Sequence, residues 1–597
     1  MHRQPCCVFI NSYYPAFLQT YYQQHHQLSH ATYHEQLRLL QASLFGDSDF
    51  YAHHLRAHGW HAEDLIVNCQ PLQAAWAREH QSHRQGLDLL IAQIHHLKPD
   101  VLYFQDLQWA TPTLIQAVRP VIGLLVGQIA SPLPTGIDCR LFDLLFSSFP
   151  HFVKRFREQG ITAYYQPLAF DARVLNQIDQ AERDIRLSFI GGISVAHQRG
   201  LALLEHVASC TPLQCWGYGR EQLPTDSALV KKHHGEVWGT TMFTLLSRSG
   251  ITINRHIDVA ESYANNMRLF EATGCGALLI TDYKDNLAEL FEIGEEVVAY
   301  RDAEECVALI DYYLAHSEKA QRIAEAGQQR TLRDYSYARN MRDTAAILQR
   351  HLRYRDEMVR LPELDIEQIN SEKTPIRAEQ VVAPWLTAWQ SPQIPVRQRA
   401  LVQRELMQLY HGQAPLVFQV LAHVLANIVV DHSRVLEIGC ASGYYYEVLR
   451  YLLMKRFHYM GIDYSKALID MAIDYYPGVD FQVADGADIP LPDNDVDVAI
   501  SSCVLLHVTN AQQHIAEALR VSRRYMVLHR TPICKRRATQ YFKKFAYGIE
   551  VVELCYQESS LMDLITRLGC RLIQRLEYQT DVERDRFEVS YVFEKVL

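Results

Sequence analysis

The sequence predicts an α/β protein built from three Rossmann-like domains, and three stretches carry that prediction. Residues 434–443, RVLEIGCASG, are an apolar run, an acidic residue and two glycines four positions apart, and helical spacing follows from Tyr444 to Leu453. Residues 185–190 form a second apolar-rich run that opens directly into Gly191-Gly192-Ile193-Ser194. Residues 1–180 alternate short apolar runs with helix-like segments, the pattern of a parallel, doubly wound sheet. At 597 residues the chain is too long for one core, and a prior of about 150 residues per domain suggests three to four.

Taken in order, a strand at 7–11 leads into the turn Ser12-Tyr13-Tyr14-Pro15. Helices at 35–42 and 49–59, a strand at 64–67 and helices at 73–80 and 87–97 follow. A strand at 100–104 ends near Asp106, then come helix 112–118, strands 121–126 and 144–147, helix 149–159 and strand 162–166. The pattern pauses at 167–184 and restarts with strand 185–190, beyond which lie His197 and Arg199. Strands near 214–217 and 250–253 precede helix 266–273, which runs into Gly274-Cys275-Gly276 and strand 277–281. Helix 286–291, strand 296–300 and helices 303–315 and 318–331 complete this part. Domains are therefore expected at 1–182 and 183–354. Residues 355–396 hold five prolines, at 362, 375, 384, 392 and 395, and read as a linker or wrap-around segment. The third domain, 397–597, starts with helices 397–411 and 415–426. Its strands are the run opening at Arg434, 457–462 ending at Asp463, 479–484 ending at Asp485, 496–503 ahead of His507, and 525–528 ahead of His529.

The bulk numbers exclude several classes. A net charge of −10 gives no basic field for a nucleic-acid partner. Thirteen cysteines without a CxxC argue against a zinc site or disulfide framework and for reduced thiols in a cytoplasmic protein. No signal peptide is indicated. The most apolar window, 118–130, is broken by Arg119, Pro120, Gly123, Gly127 and Gln128 and is too short to span a bilayer, so any membrane association would be peripheral.

A side chain at Gly439 or Gly443 would block the turn and keep the backbone from a bound ligand. Asp463 lies 20 residues past Gly443, about where an α/β unit places a carboxylate for ribose hydroxyls. With the strand series around it, this stretch resembles the class I S-adenosylmethionine-dependent methyltransferases, EIGCASG standing for the family's acidic-x-G-x-G-x-G loop. It departs at Ala441, where the family usually has glycine. The resemblance implies S-adenosyl-L-methionine as cofactor, held by Glu437, Gly439, Ala441, Gly443, Asp463, Asp485 and Gly486. His507 or His529 is a candidate to take a proton from the acceptor hydroxyl, with packing as the alternative.

Residues 265–282, NNMRLFEATGCGALLITD, resemble the C-terminal signature of GT-B glycosyltransferases, most closely the spore-maturation-protein-like branch, with N-x-R-x-F-E-A-x-x-C-G ahead of an apolar strand. The likeness continues through Asp285, Leu290, Phe291, Gly294 and Glu295 to Tyr335. It implies that the first two domains form one GT-B glycosyltransferase with a nucleotide-diphosphate sugar as donor substrate. Glu271 would accept from the ribose hydroxyls. Arg268 offers a donor fork suited to phosphate. Gly191, Gly192, Asn266 and Gly274 bring backbone N–H groups near the anion, and Arg199 is a further diphosphate candidate. Such a site stabilises the leaving phosphate without a metal.

Many retaining members place another glutamate eight positions before the ribose-binding one; here that position is Tyr263, with Glu261 two residues out of register, so the stereochemistry stays open. Asp47-Ser48-Asp49 spells a metal-binding D-x-D, but it lies between helical stretches, and helix capping by Asp49 explains it better. Asp106 is the carboxylate expected as base if the reaction inverts configuration.

These expectations add up to a bifunctional glycosyltransferase/methyltransferase acting on a glycan, glycolipid or protein acceptor. The alternative is a methyltransferase with an unrelated substrate and a GT-B part that serves as a binding or scaffold module.

Overall fold

A computed structural model describes residues 3–178, 182–193, 198–256, 260–358 and 373–596. The chain divides into two compact units, Met1–Phe156 with Ala163–Leu352 and Arg157–Thr162 with Arg353–Leu597.

Unit 1 holds two parallel sheets. The first comprises β1 (Cys6–Asn11), β2 (His61–Ile66), β3 (Val101–Phe104), β4 (Leu124–Gln128), β5 (Leu144–Ser147) and β6 (Ala163–Tyr165), in the order β2-β1-β3-β4-β5-β6. Strands this short and apolar, returning through helices such as Gly86–Leu97 and Pro150–Glu158, pair in parallel and are covered on both faces. All four side chains of β3 are fully buried as a result. The strand expected from residue 121 begins at Leu124, because Pro120 sits in a 3-10 turn, Arg119–Val121. The second sheet comprises β7 (Ile185–Ile190), β8 (Gln214–Trp216), β9 (Ser249–Asn254), β10 (Leu278–Asp282) and β11 (Val298–Tyr300), in the order β11-β10-β9-β7-β8.

The sequence did not suggest the 22-residue helix Tyr337–Met358. Its start fastens to the first-sheet half of unit 1. The Tyr337 hydroxyl donates to Asp47 (2.7 Å), Asn340 to the Pro167 carbonyl (2.8 Å) and Thr344 to Gln166 (2.7 Å).

Unit 2 is a ten-stranded mixed sheet of β12 (Thr374–Ile376), β13 (Arg434–Ile438), β14 (His458–Asp463), β15 (Asp480–Val483), β16 (Val496–Ser502), β17 (Ser522–Cys534), β18 (Gln540–Ala546), β19 (Ile549–Gln557), β20 (Cys570–Asp581) and β21 (Arg586–Lys595). The parallel part runs β17-β16-β13-β14-β15. The order therefore reverses at β13, which opens a crevice at the carboxyl ends of the strands on either side of it. An antiparallel extension, unread from the sequence, adds β18–β19 and β20–β21, and β21 pairs with both β17 and β20.

Residues 355–396, expected as a linker, contribute to unit 2 from residue 373 onward. β12 pairs with β18, the Trp385 indole N–H donates to Glu550 (3.2 Å), and the Trp389 ring lies 5.1 Å from His507 and 5.5 Å from Tyr547. Half-buried tryptophan rings turn a proline-rich stretch into a packed strap. No described helix is long and apolar enough to cross a membrane.

Candidate functional sites

In unit 1 several residues singled out by sequence follow the carboxyl ends of parallel strands, where α/β folds bind ligands: Asp106 after β3, Gly191 and Gly192 after β7, and Asn266, Arg268 and Glu271 on the segment after β9, whereas Gly274 lies ahead of β10. Gly191 and Gly192 follow β7. The Gly191 N–H donates to the Trp216 carbonyl (2.9 Å) and the Ile193 N–H to that of Tyr218 (2.9 Å), so this turn is bonded to the loop after β8. A Cβ on Gly192 would lie 2.3 Å from the Tyr218 ring. The bareness expected to admit a phosphate thus seats a tyrosine. Tyr218 is 43% exposed and stacks on Trp238 (5.8 Å between centroids, 12° between planes), with Tyr14 edge-on at 6.2 Å. Ser194, His197 and the Arg199 side chain lie outside the described residues.

Helix Met267–Gly274 carries the sharpest motif. Asn266 is its N-cap: its side-chain oxygen accepts from the Arg268 N–H (2.8 Å), and its amide donates to the Arg255 carbonyl (3.2 Å). One turn apart on a buried face, Arg268 and Glu271 form an ion pair at 2.8 Å. The two groups expected to grip phosphate and ribose separately hold each other here. Gly274 ends the helix against Phe170, whose ring a Cβ would meet at 2.4 Å, so it serves packing where an anion contact was expected. Tyr263 stacks on His151 at 4.8 Å, and Glu261, left-handed at φ 50°, faces Arg155 at 3.9 Å.

Asp106 follows β3 and caps the 3-10 turn Leu107–Trp109, while the Ser12 hydroxyl, at the end of β1, donates to its other oxygen. The D-x-D residues point to different partners. Asp47 accepts from Tyr337, and Asp49 stands at a helix N-cap position without making the cap bond. Its carboxylate pairs with Arg173 (2.9 Å), which corrects the capping expectation. Among the described residues no cluster of three or more His, Cys, Asp or Glu side chains could hold a metal.

Sequence reasoning passed over Arg255 and His256, which directly follow β9. Arg255 lies on the first turn of helix Gln198–Cys210, where a Cβ on Gly200 would meet its guanidinium at 2.0 Å. The buried His256 donates from Nδ1 to Asp282 (2.7 Å). Burial works against the Asp282 charge, but this bond, the His256 backbone N–H and the charges of His256 and Lys284 together outweigh it and hold the carboxyl below its usual range. The polar run Asn254-Arg255-His256 directly after an apolar strand was the available signal.

In unit 2 the glycine turn sits after β13. Gly439 (φ 73°), Ala441 (φ 49°) and Gly443 (φ 72°) are all left-handed, so Ala441 adopts the backbone of the glycine it stands for. Asp463, at the end of β14, accepts from the Ala441 N–H on one oxygen (3.0 Å) and from the Ser465 N–H on the other (2.8 Å). Burial pushes its carboxyl up to about 6 against the pull of those two bonds. The buried Ser465 hydroxyl beside it makes no hydrogen bond among the described residues. Glu437, expected to hold the cofactor, accepts instead from the Tyr459 hydroxyl inside the sheet, and burial pushes it up to about 8. The exposed Asp485 accepts from the Ala487 N–H (2.9 Å). Gly486 packs on Ile438 and His514, each of which a Cβ would meet at 2.7 Å.

His507 follows β16. Its Nδ1 donates to the Val552 carbonyl (2.8 Å), which leaves Nε2 as the basic nitrogen, and burial lowers its pKa and favours the neutral ring. His529 is fully buried, pairs through Nδ1 with Ser590 (2.8 Å), and is driven well below its ordinary pKa by burial.

Comparison with known proteins agrees with this division. A family model described as "Glycosyl transferase-like" matches residues 198–346, and one described as "Methyltransferase domain" matches 436–525. A Mycolicibacterium smegmatis protein described as a probable S-adenosylmethionine-dependent methyltransferase is 34% identical over 107 residues, 18% of this chain and 38% of that one. A protein of the same description from Mycobacterium tuberculosis is 30% identical over 89 residues, 15% of this chain and 31% of that one. The chain thus spans about a third of the length of these curated relatives. A solved structure of a SAM-dependent methyltransferase from Methanosarcina mazei aligns with 17% identity over 29% of this chain and 97% of that chain, at a TM-score of 0.25. The chain therefore carries a glycosyl transferase-like domain at residues 198–346 and a methyltransferase domain at residues 436–525.

Proposed function

We propose that this chain is a bifunctional cytoplasmic transferase. Unit 1 transfers a sugar from a nucleotide-sugar donor to a glycan, glycolipid or protein acceptor, and unit 2 methylates an acceptor oxygen on the same glycan. The observation that carries the reading is a repeated pairing: in each unit a glycine turn follows the carboxyl end of a parallel strand, β7 and β13, and a buried carboxylate follows in the same sheet layer, Glu271 on the helix after β9 and Asp463 at the end of β14. Thirteen unpaired cysteines favour a reducing compartment.

In unit 1 a bound nucleotide diphosphate draws the Arg268 fork toward its phosphates and releases Glu271 to accept from the ribose hydroxyls. Arg268 then stabilises the charge that grows on the leaving diphosphate. Asp106, oriented by Ser12, is the carboxylate that takes the acceptor proton if the configuration inverts.

In unit 2 the residues suit an adenosyl cofactor. Each Asp463 oxygen keeps a second lone pair for a ribose hydroxyl, and Ser465 offers an unused one beside it. Gly439, Ala441, Gly443, Asp485 and Gly486 complete the cradle. S-adenosylmethionine, when bound, supplies an electrophilic methyl group. His507 receives the acceptor's hydroxyl proton on Nε2, its Nδ1–H fixed by Val552.

The test is a thermal-shift panel of nucleotide sugars, UDP, GDP, S-adenosylmethionine and S-adenosylhomocysteine on the full chain, with Glu271→Ala and Asp463→Ala as controls. A ligand that binds only the folded state at a hundred times its Kd adds about 2.7 kcal/mol. Two independent stabilisations, each abolished by its own variant, are expected. A response to the methyl donor alone would remove the glycosyltransferase activity and leave unit 1 as a binding or scaffold module.

A further inference from the structure

Unit 2 holds a second group of side chains at the ends of β16 and β17, across β13 from the carboxylates of β14 and β15. Ser502 pairs with His529 as the parallel ladder ends, and the next residue on each strand is strained: Cys503 at φ 57° and Arg530 at φ 55° are left-handed without being glycine. On the other edge of β17 the register with β21 slips between Leu528 and Thr531, a bulge around Arg530. Left-handed backbone costs such residues roughly 1–2 kcal/mol each, and strain of this kind, like bulges that re-aim a side chain, gathers at functional sites.

What the bulge aims is a cation that no anion hydrogen-bonds among the described residues. Arg530 Nε is buried with no hydrogen bond, and among the described residues no carboxylate lies within ion-pair distance of the guanidinium. Three more buried polar atoms nearby are equally unmatched: Tyr445 Oη, Ser502 Oγ and His529 Nε2, with the Tyr445 and His529 rings 5.8 Å apart. The field of Arg530 reaches Cys503, Tyr445 and Glu588, and also Glu405, Tyr547 and Tyr578 on separate elements. An unmatched buried donor costs about 1–3 kcal/mol, and a charged one more. The group keeps that cost unless an oxygen acceptor enters.

We propose that Arg530 is a specificity-determining residue of the methyl-transfer site and binds a carboxylate of the methyl acceptor, with the Tyr445 hydroxyl donating beside it. The planar guanidinium matches a carboxylate in a two-bond fork. Glu405 and Glu588 already interact electrostatically with Arg530, so they oppose added negative charge, and they oppose a phosphate dianion more than a carboxylate monoanion. The acceptor class is therefore an organic acid or an acid-bearing sugar. The proposal rests on the methyltransferase reading.

Three probes share one ring and differ only in the group offered: benzoate, benzyl alcohol and phenyl phosphate. Each is titrated calorimetrically into the full chain saturated with S-adenosylhomocysteine. Benzoate is expected to bind at least about tenfold more tightly than the other two, a factor of ten in Kd being about 1.4 kcal/mol. Arg530→Gln should lose that preference, and Arg530→Lys, which keeps the charge without the fork, should keep part of it. Both variants should bind S-adenosylhomocysteine within about twofold of the parent, which also shows that they fold. Benzoate binding no tighter than benzyl alcohol, phenyl phosphate preferred over benzoate, or Arg530→Gln matching the parent would each overturn the proposal. A parent protein that fails to bind S-adenosylhomocysteine would instead sink the methyltransferase reading, a result seen before any probe is added.

Discussion

Replacing Gly439 by alanine tests the cofactor turn, and its cost divides into two parts that separate experimentally. At φ 73° a Cβ brings the left-handed penalty of roughly 1–2 kcal/mol. The same Cβ would lie 2.1 Å from Val504 Cγ2, well inside the usual contact of about 3.5–4.0 Å. Valine is stiff at χ1 and cannot simply rotate away, so overpacking adds about 1–3 kcal/mol. The lower unfolded-state entropy of alanine returns about 0.4–1 kcal/mol. Gly439→Ala should therefore destabilise unit 2 by roughly 1–5 kcal/mol. Val504→Ala removes the obstacle, and the double variant should recover about 1–3 kcal/mol relative to additivity, leaving only the backbone term. Urea unfolding of the full chain measures this, the unit 2 transition being the one that S-adenosylhomocysteine shifts. Effects that add within about 0.5 kcal/mol would refute the claim that Val504 sets the requirement for glycine.

Ala441→Gly should leave unit 2 as stable or up to about 1 kcal/mol more stable, since the left-handed strain goes while chain entropy rises; a loss above that, read by the same unfolding, contradicts the φ argument. In unit 1, Glu271→Gln strands Arg268 and should cost about 3–5 kcal/mol, whereas Arg268→Met with Glu271→Leu should restore the unfolding midpoint and still fail to bind nucleotide in a thermal-shift assay. Burial lowers His514 to about 4 from an ordinary 6.5, so its share of stability is complete above pH 6.5 and is lost as pH falls through 4. His514→Gln should flatten the urea midpoint over that window. Glu437 has the opposite sign: raised to about 8, its contribution is complete below pH 4.5 and lost as pH rises through 8, and Glu437→Gln should remove that decline.

The parallel strands were legible because buried strands are written as unbroken apolar runs: β7 and β16 fall where their residues predict them. The glycine turn was legible in backbone terms, and even the departure at Ala441 keeps the left-handed conformation. What glycine cannot announce is who occupies the space beside it. Gly192 and Gly274 make room for Tyr218 and Phe170, side chains distant in sequence. Helix Tyr337–Met358 was hidden by its many arginines and aspartates, which blur the apolar period. The antiparallel strands β18 to β21 mix charged and apolar residues around irregular registers, so period-2 counting does not find them. Arg255 and Arg530 belong to no motif; each matters through its place one residue past a ladder, visible only once the pairing is known.

The place of β21 has a consequence for how the protein is made. Among the described residues β20 pairs only with β21, and β21 alone joins it to β17. During synthesis, residues 570–581 therefore leave the ribosome as a strand with no neighbour to accept them and must wait for 586–595. The two sheets of unit 1 are complete with β11 at Tyr300, well before β20 begins at Cys570. Because β17 also carries the bulge at Arg530, the order of emergence defers the shaping of that corner until β21 is in place, and a ribosome stalled between β20 and β21 would hold a finished first unit and a second unit with an open, pairing-competent edge.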